Sequence, residues 1–203
     1  MKHSARDRRR LAASRHRTCG TCNACCFAFK LDGFEKPAGA WCPHCVVGSS
    51  LGCSIYSQRP SECVTFQCGW VLGVAGTLLT DAHRPDRSGV VVTAACLSQG
   101  KWRYLRYNLH ETRSLAADTA VWRQFMVLVA EHTEAAVAVF PPGALGQPRS
   151  FYMPESHRRL GLSRPGMTPE EAAGAVHALQ RVRFSALGMN FDAVVASAPL
   201  MIS

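Results

Sequence analysis

The sequence predicts an α+β protein in unequal parts, a small cysteine-rich module joined to a compact sheet-plus-helices domain. Three observations predict it. Nine of the ten cysteines fall between Cys19 and Cys68. From about residue 71 the chain changes to β-branched runs and helical periodicities. Late in the chain, Thr168-Pro169-Glu170-Glu171 spells a helix start: threonine at the N-cap, proline at the first helical position and glutamate three after the cap. The expected organisation is a flexible basic arm over 1–18, the cysteine module over 19–70 and the α+β domain over 71–203, packed against it.

Composition bounds the class. With 203 residues, 47% hydrophobic and 18% charged, the chain can bury a core, and disorder is excluded as its main state. The net charge of +9 is concentrated: residues 1–18 carry Lys2, Arg6, Arg8, Arg9, Arg10, Arg15 and Arg17 against Asp7, which is +6 and leaves +3 for the rest. Such an arm reads as a solvated tail or as an electrostatic anchor for an RNA, ribosome or protein partner. Leu11-Ala12-Ala13 is too short for the apolar core of a secretory signal. The runs Val71–Leu79 and Phe125–Ala130 fall far below the roughly 20 residues of a spanning helix. The expectation is a cytoplasmic protein with no membrane partner. Its thiols would be reduced, which weakens a disulfide reading of the cysteines.

In the domain, Ser88-Gly89-Val90-Val91-Val92-Thr93-Ala94 reads as a strand entered from the turn Arg84-Pro85-Asp86-Arg87. Gln99-Gly100-Lys101 is a hairpin turn into a second strand, Trp102–Leu109, with one wetter face. Over 115–133, Val121, Phe125, Leu128 and Trp122, Met126, Val129 recur at helical spacing. Ala136–Phe140, stopped by Pro141-Pro142, is a third strand and Ser150–Met153 a fourth. The capping box opens a helix from Pro169 to about Phe184.

The cysteine block carries the chemistry. It reads C-G-T-C-N-A-C-C, then W-C-P-H-C, then G-C-S-I-Y-S-Q-R-P-S-E-C-V-T-F-Q-C. Glycine and proline punctuate it, and it lacks long apolar runs, so aliphatic packing alone would not hold it. A bound metal supplies the missing cross-links, because ligation free energy becomes folding free energy. Cys19, Cys22 and Cys25 have the spacing of three thiolates around an iron–sulfur cluster, a 4Fe–4S cubane above all, closed by a remote cysteine such as Cys53, Cys63 or Cys68. The pairs Cys19/Cys22 and Cys42/Cys45 equally resemble zinc knuckles. The candidate metal ligands are Cys19, Cys22, Cys25, Cys26, Cys42, Cys45, Cys53, Cys63 and Cys68, enough for two four-ligand sites with one over. Cys42-Pro43-His44-Cys45 also looks like a thiol–disulfide exchange motif, but the segment after Cys45 is a poor helix, and that chemistry needs a helix N-terminus.

C-x2-C-x2-C-C followed by G-C-x-I-Y-x2-R-P-x2-C-x2-F-x-C resembles the zinc- or iron-chelating cysteine-cluster family, the CxxCxxCC domain, over about residues 19–70. Cys19, Cys22, Cys25 and Cys26 match its opening. Cys53, Ile55, Tyr56, Arg59, Pro60, Cys63 and Phe66 match its close, and Cys42 its middle cysteine. Cys45 stands where many members carry an apolar residue. The resemblance implies a metal site, iron–sulfur or zinc, more firmly than it implies a reaction. Ile55 and Tyr56 would then pack over the metal, and Arg59 would offset thiolate charge.

Outside the block no catalytic constellation stands out. Cys96 reads as a core thiol. His110, His132, His157 and His177 are dispersed, Glu131 and Glu134 read as solvated, and Trp102–Tyr107 reads as amphipathic sheet packing. The functional expectation is a metal-binding cysteine-cluster protein with a redox, metal-handling or cluster-dependent role. The alternative is a structural zinc module in an RNA-, ribosome- or protein-binding factor.

Overall fold

The computed structural model describes residues 17–46, 52–144, 146–159, 167–197 and 200–201. Most of the basic arm lies outside them. The cysteine-rich part contributes short helices only: α1 (Ala24–Ala28), α2 (Ser61–Thr65) and α3 (Gly69–Leu72). The expected turn before the first strand is a single helical turn, α4 (Pro85–Ser88), with Pro85 at its start.

Then come β1 (Val90–Gln99) and β2 (Trp102–Glu111), paired antiparallel in full register from Val90 with Glu111 to Gln99 with Trp102. The two residues left between them require a tight turn, and Gly100 supplies it at φ +56°. Helix α5 (Ala120–Thr133) crosses to β3 (Ala136–Phe140), which lies parallel to β2, and β4 (Ser150–Tyr152) returns antiparallel. Helices α6 (Glu155–Arg159), α7 (Pro169–Ala186) and α8 (Phe191–Ser197) lead to β5 (Leu200–Met201), parallel to β1. The sheet order is β4-β3-β2-β1-β5. The α+β class expected from the sequence is the class observed.

Strand alternation puts Leu105, Tyr107 and Leu109 on one face of β2. That face takes α5 through Trp122, Phe125 and Val129, and α7 through Phe184 beside Cys96 and Leu105. Cys96 is indeed a core thiol, 1% exposed. The expected helix over 115–133 begins only at Ala120, because Leu115 turns left-handed at φ +59° and Ala116–Asp118 form a 3-10 turn. Of its two apolar stripes, the one through Trp122 and Val129 is buried while Val121 is exposed. At the start of α7, Thr168 accepts from the Glu171 backbone N–H, and the Glu171 carboxylate accepts from the Thr168 N–H, the capping box read in the sequence.

Three polar anchors have no sequence signature. Strand β3 reaches back only to Arg106 on β2, so Leu105 lacks a strand partner on that side. The buried amide of Gln180 replaces it, accepting from Leu105 N–H at 2.7 Å and donating to the Leu105 carbonyl at 2.9 Å. Glu111 is 1% exposed and grips Arg149 with both oxygens, at 2.9 and 3.0 Å. Glu134 corrects the sequence reading, which left it solvated: it is 4% exposed. The backbone turns left-handed there, at φ +55°, and carries the carboxylate inward to Arg183 at 3.0 Å and to the Ser156 hydroxyl. Glu131 is exposed, as expected.

The opposite face of the sheet receives the cysteine module. Val91 and His110 are cross-strand partners there, and the His110 ring packs on Phe29 of the module at 4.8 Å and on Phe140 at 5.0 Å. Farther along the seam, a Cβ on Gly39 would lie 2.6 Å from the Gly143 Cα, so the two backbones touch where neither has a side chain. No helix of the described residues is long and apolar enough to cross a membrane.

Candidate metal centre

A cavity of about 380 Å³ opens between the module and the sheet. Its wall is built from the cysteine motif and from the apolar side chains Phe29, Phe34, Ile55, Phe66 and Val91. Eight of the nine candidate ligands line it: Cys19, Cys22, Cys25 and Cys26 from the opening motif, and Cys42, Cys53, Cys63 and Cys68 from the later ones. Cys45 is not on the wall. It forms an isolated bridge with Cys53 and its thiol hydrogen-bonds to Cys26.

Local structure explains how residues so far apart in sequence meet. Cys22 N–H closes a turn on the Cys19 carbonyl at 2.9 Å, and α1 then begins and carries Cys25 and Cys26. The Cys42 N–H donates to the Cys26 carbonyl at 3.2 Å, and Cys45 N–H to the Cys42 carbonyl at 2.9 Å, which lays the W-C-P-H-C loop against α1. Residues 43–44 form a turn. The dipole that would activate a thiol–disulfide exchange cysteine is therefore missing at Cys42. His44, in that turn, packs its ring on Phe34 at 4.9 Å. Cys63 rides on α2, and Cys68 is buried at the start of α3.

Cations surround the thiols. Lys36, unnoticed in the sequence, is 4% exposed with its ammonium donating to the carbonyls of Phe27, Phe29 and Pro37. A buried ammonium needs compensation beyond neutral carbonyls. It lies within electrostatic reach of Cys25, Cys26, Cys42 and Cys63. Arg59 lies flat on the Tyr56 ring, 3.7 Å from its centre, and bonds the Tyr56 carbonyl at 2.9 Å. Its charge acts on Cys26 and Cys63. Ile55 is half-buried on the cavity wall, whereas Tyr56 is 56% exposed and guards the rim.

These surroundings separate the thiols. The hydrogen bond from Cys25, with Lys36 and Arg59 adding to it, pulls Cys26 down to about 7, near a thiolate at neutral pH. Cys25 goes the other way for the same reason, and burial next to the Cys26 charge raises Cys45 to about 11. Burial raises Cys22, Cys63 and Cys68.

Comparison of the chain with protein-family models, curated proteins and solved structures finds no match. The case for a metal therefore stands on the donors themselves. Among the described residues, no three His, Cys, Asp or Glu side chains close on a point where one ion would sit. A tetrahedral zinc ion about 2.3 Å from each sulfur draws its thiolates to about 3.8 Å from one another. Eight of the thiols line one cavity instead.

Proposed function

We propose that the chain is a metal-binding cysteine-cluster protein and that the group it holds is iron–sulfur. The observation that carries this reading is the cavity of about 380 Å³ walled by eight cysteines. Buried thiols that serve only as small apolar residues have no reason to gather on one cavity. Lys36 and Arg59 support it, since thiolate ligation leaves a net negative charge that nearby cations offset. Phe29, Ile55 and Phe66 put apolar surface on the wall, and burial against such surface tunes the potential of such a group. When bound, an iron–sulfur group supplies one-electron chemistry. The role that follows is electron transfer, sensing or a cluster-dependent activity in a cytoplasmic setting.

Anaerobic purification with iron, zinc and acid-labile sulfide analysis beside a visible spectrum tests it. The expected result is a brown protein with matching iron and sulfide. A colourless protein with stoichiometric zinc overturns the iron–sulfur reading in favour of a structural zinc module. In that event the arm over residues 1–18 becomes the place to look for RNA or protein binding, which salt would weaken steeply.

A further inference from the structure

We infer that Cys45 and Cys53 are an oxidisable pair, which a hydroperoxide closes to a disulfide and a thiol reductant opens again. The pair itself stands on backbone geometry. Its consequence for the cavity rests on the metal-binding reading above.

Of the nine candidate thiols, Cys45 alone is off the cavity wall. The chain nevertheless fixes its place. Val46 N–H donates to the Gly52 carbonyl at 3.2 Å, and Ser54 N–H donates to the His44 carbonyl at 2.9 Å. These two bonds flank the antiparallel bridge between Cys45 and Cys53, and neither uses a polar group of the two cysteines. In an antiparallel ladder that is the non-hydrogen-bonded position, where opposed Cα atoms come to about 4.5 Å and the side chains stand closest. Disulfides span Cα separations of about 4.4–6.8 Å, so this backbone need not open to admit one. Two further bonds hold the register. The Ser54 hydroxyl donates to the same His44 carbonyl at 3.3 Å, and Cys45 N–H donates to the Cys42 carbonyl at 2.9 Å.

The other thiols near Cys45 fit less well. Cys42, across the turn, is only 7% exposed and so is shielded from an oxidant in solution. Cys26 shares a thiol hydrogen bond with Cys45, but it rides on α1, and no bridge among the described residues sets the two backbones opposite each other. Cys45 and Cys53 are both free and both partly exposed.

The chemistry needs one peroxide. One sulfur takes the terminal oxygen as the O–O bond breaks, giving a sulfenic acid and a first water; the other thiol then displaces the hydroxyl as a second water. Two electrons pass from the sulfurs to the peroxide, and the two thiol protons end in water. Cys53 lines the cavity, so the new bond removes one thiolate donor from the wall. A partly exposed disulfide of this kind is labile, which suits a reversible response to oxidant and not a permanent cross-link.

The test is a linkage map of the anaerobically purified full chain, treated with hydrogen peroxide, alkylated and cleaved with chymotrypsin without reductant. Cleavage after Trp41 and Leu51 separates the peptide with Cys42 and Cys45 from the one with Cys53. The expected result is that peroxide joins these two peptides through Cys45, as fragmentation shows, and that dithiothreitol parts them. Cys45 joined to Cys26 or Cys42, or left unlinked while other thiols are oxidised, overturns the pair. Metal content is followed in the same samples. Wild type should release metal as the linkage accumulates, and Cys45→Ser, measured against its own starting content, should release it more slowly. Equal rates overturn the withdrawal of Cys53 from the wall. A chain without metal that still forms the linkage overturns the metal-binding reading and leaves the pair standing; a metal-bound chain without the linkage does the reverse. The wild-type map does not depend on whether the variant folds.

Discussion

Val90, Val91 and Val92 of β1 are fully buried, whereas Tyr56 and Val64 of the cysteine module stand 56% and 55% exposed. The contrast runs through both regions. The sheet domain buries Trp122, Tyr107, Phe125 and Phe184 at 1% exposure or less, around helices of 14 and 18 residues. The module's helices have five residues or fewer, too short to hold themselves. It lends Ala24, Ala28, Cys68 and Trp70 to the shared core, with Phe29 and Phe66 packed against it, while Ile55 faces the cavity. One region is held by apolar burial at roughly 25 cal/mol per Å². The other has the parts for being held by ligation. Two means of stabilisation in one chain should respond to different insults.

On the metal-binding proposal, removing the metal gives the largest separation between them. Structural thiolate sites contribute on the order of 10 kcal/mol to the folding of small modules. Chelation of the anaerobic protein should therefore expose residues 19–68 to hydrogen exchange and proteolysis, while β1, β2 and β3 keep their protection. Exchange mapped by peptide before and after chelation checks this. Equal protection in both states would show that the module is packed well enough to stand without ligands.

His110 tests the seam where the two regions meet. Its ring lies between Phe29 and Phe140, and its Nε2 is 3.2 Å from the Thr93 hydroxyl. Burial, with Arg106 adding to it, pushes its pKa from the ordinary 6.5 down to about 4. The unfolded chain takes up this proton below about 6.5, and the folded chain only near 4. Stability from this group is present above 6.5 and is lost as pH falls through that window, by about 3 kcal/mol at its acid end. Wild type should lose that much more than His110→Phe between pH 7 and pH 4, read from urea midpoints. If exchange shows the module loosening before the sheet as pH drops, the seam gives way from the module's side.

The features that were legible in the sequence are those whose cause is local. Alternation and the Gly100 turn reveal the β1–β2 hairpin, Pro141 marks the end of β3, and Thr168 with Glu171 marks the start of α7. Buried polar anchors are different. Gln180 meets Leu105 across 75 residues, Glu111 meets Arg149 across 38, and Glu134 meets Arg183 across 49, so nothing near each residue announces its partner. In the candidate site the cysteines are visible by their crowding. Their meeting is not, because Cys42, Cys53, Cys63 and Cys68 come to the cavity beside Cys25 and Cys26 only once the loops and short helices fold. Lys36 is hidden for another reason: lysine in a loop usually belongs to the surface, and only the fold shows three carbonyls closing over it.

The smallest predicted effect is the cleanest check that the two regions answer separately. Thr168 is exposed to solvent and far in sequence from every cysteine of the module. Thr168→Ala removes the acceptor for the Glu171 N–H and the hydroxyl that donates to the Glu171 carboxylate, while the backbone N–H at 168 still donates to it, a loss of about 1 kcal/mol for an N-cap of this kind. Because α7 covers the sheet through Ala173, Val176, Gln180 and Phe184, that loss falls on the domain's apolar core. The urea midpoint should drop by that amount while the metal count per chain stays the same. A fall in metal content with the midpoint would mean that the module depends on the packing of α7 against the sheet. The cavity would then belong to the fold as a whole and not to the cysteine module.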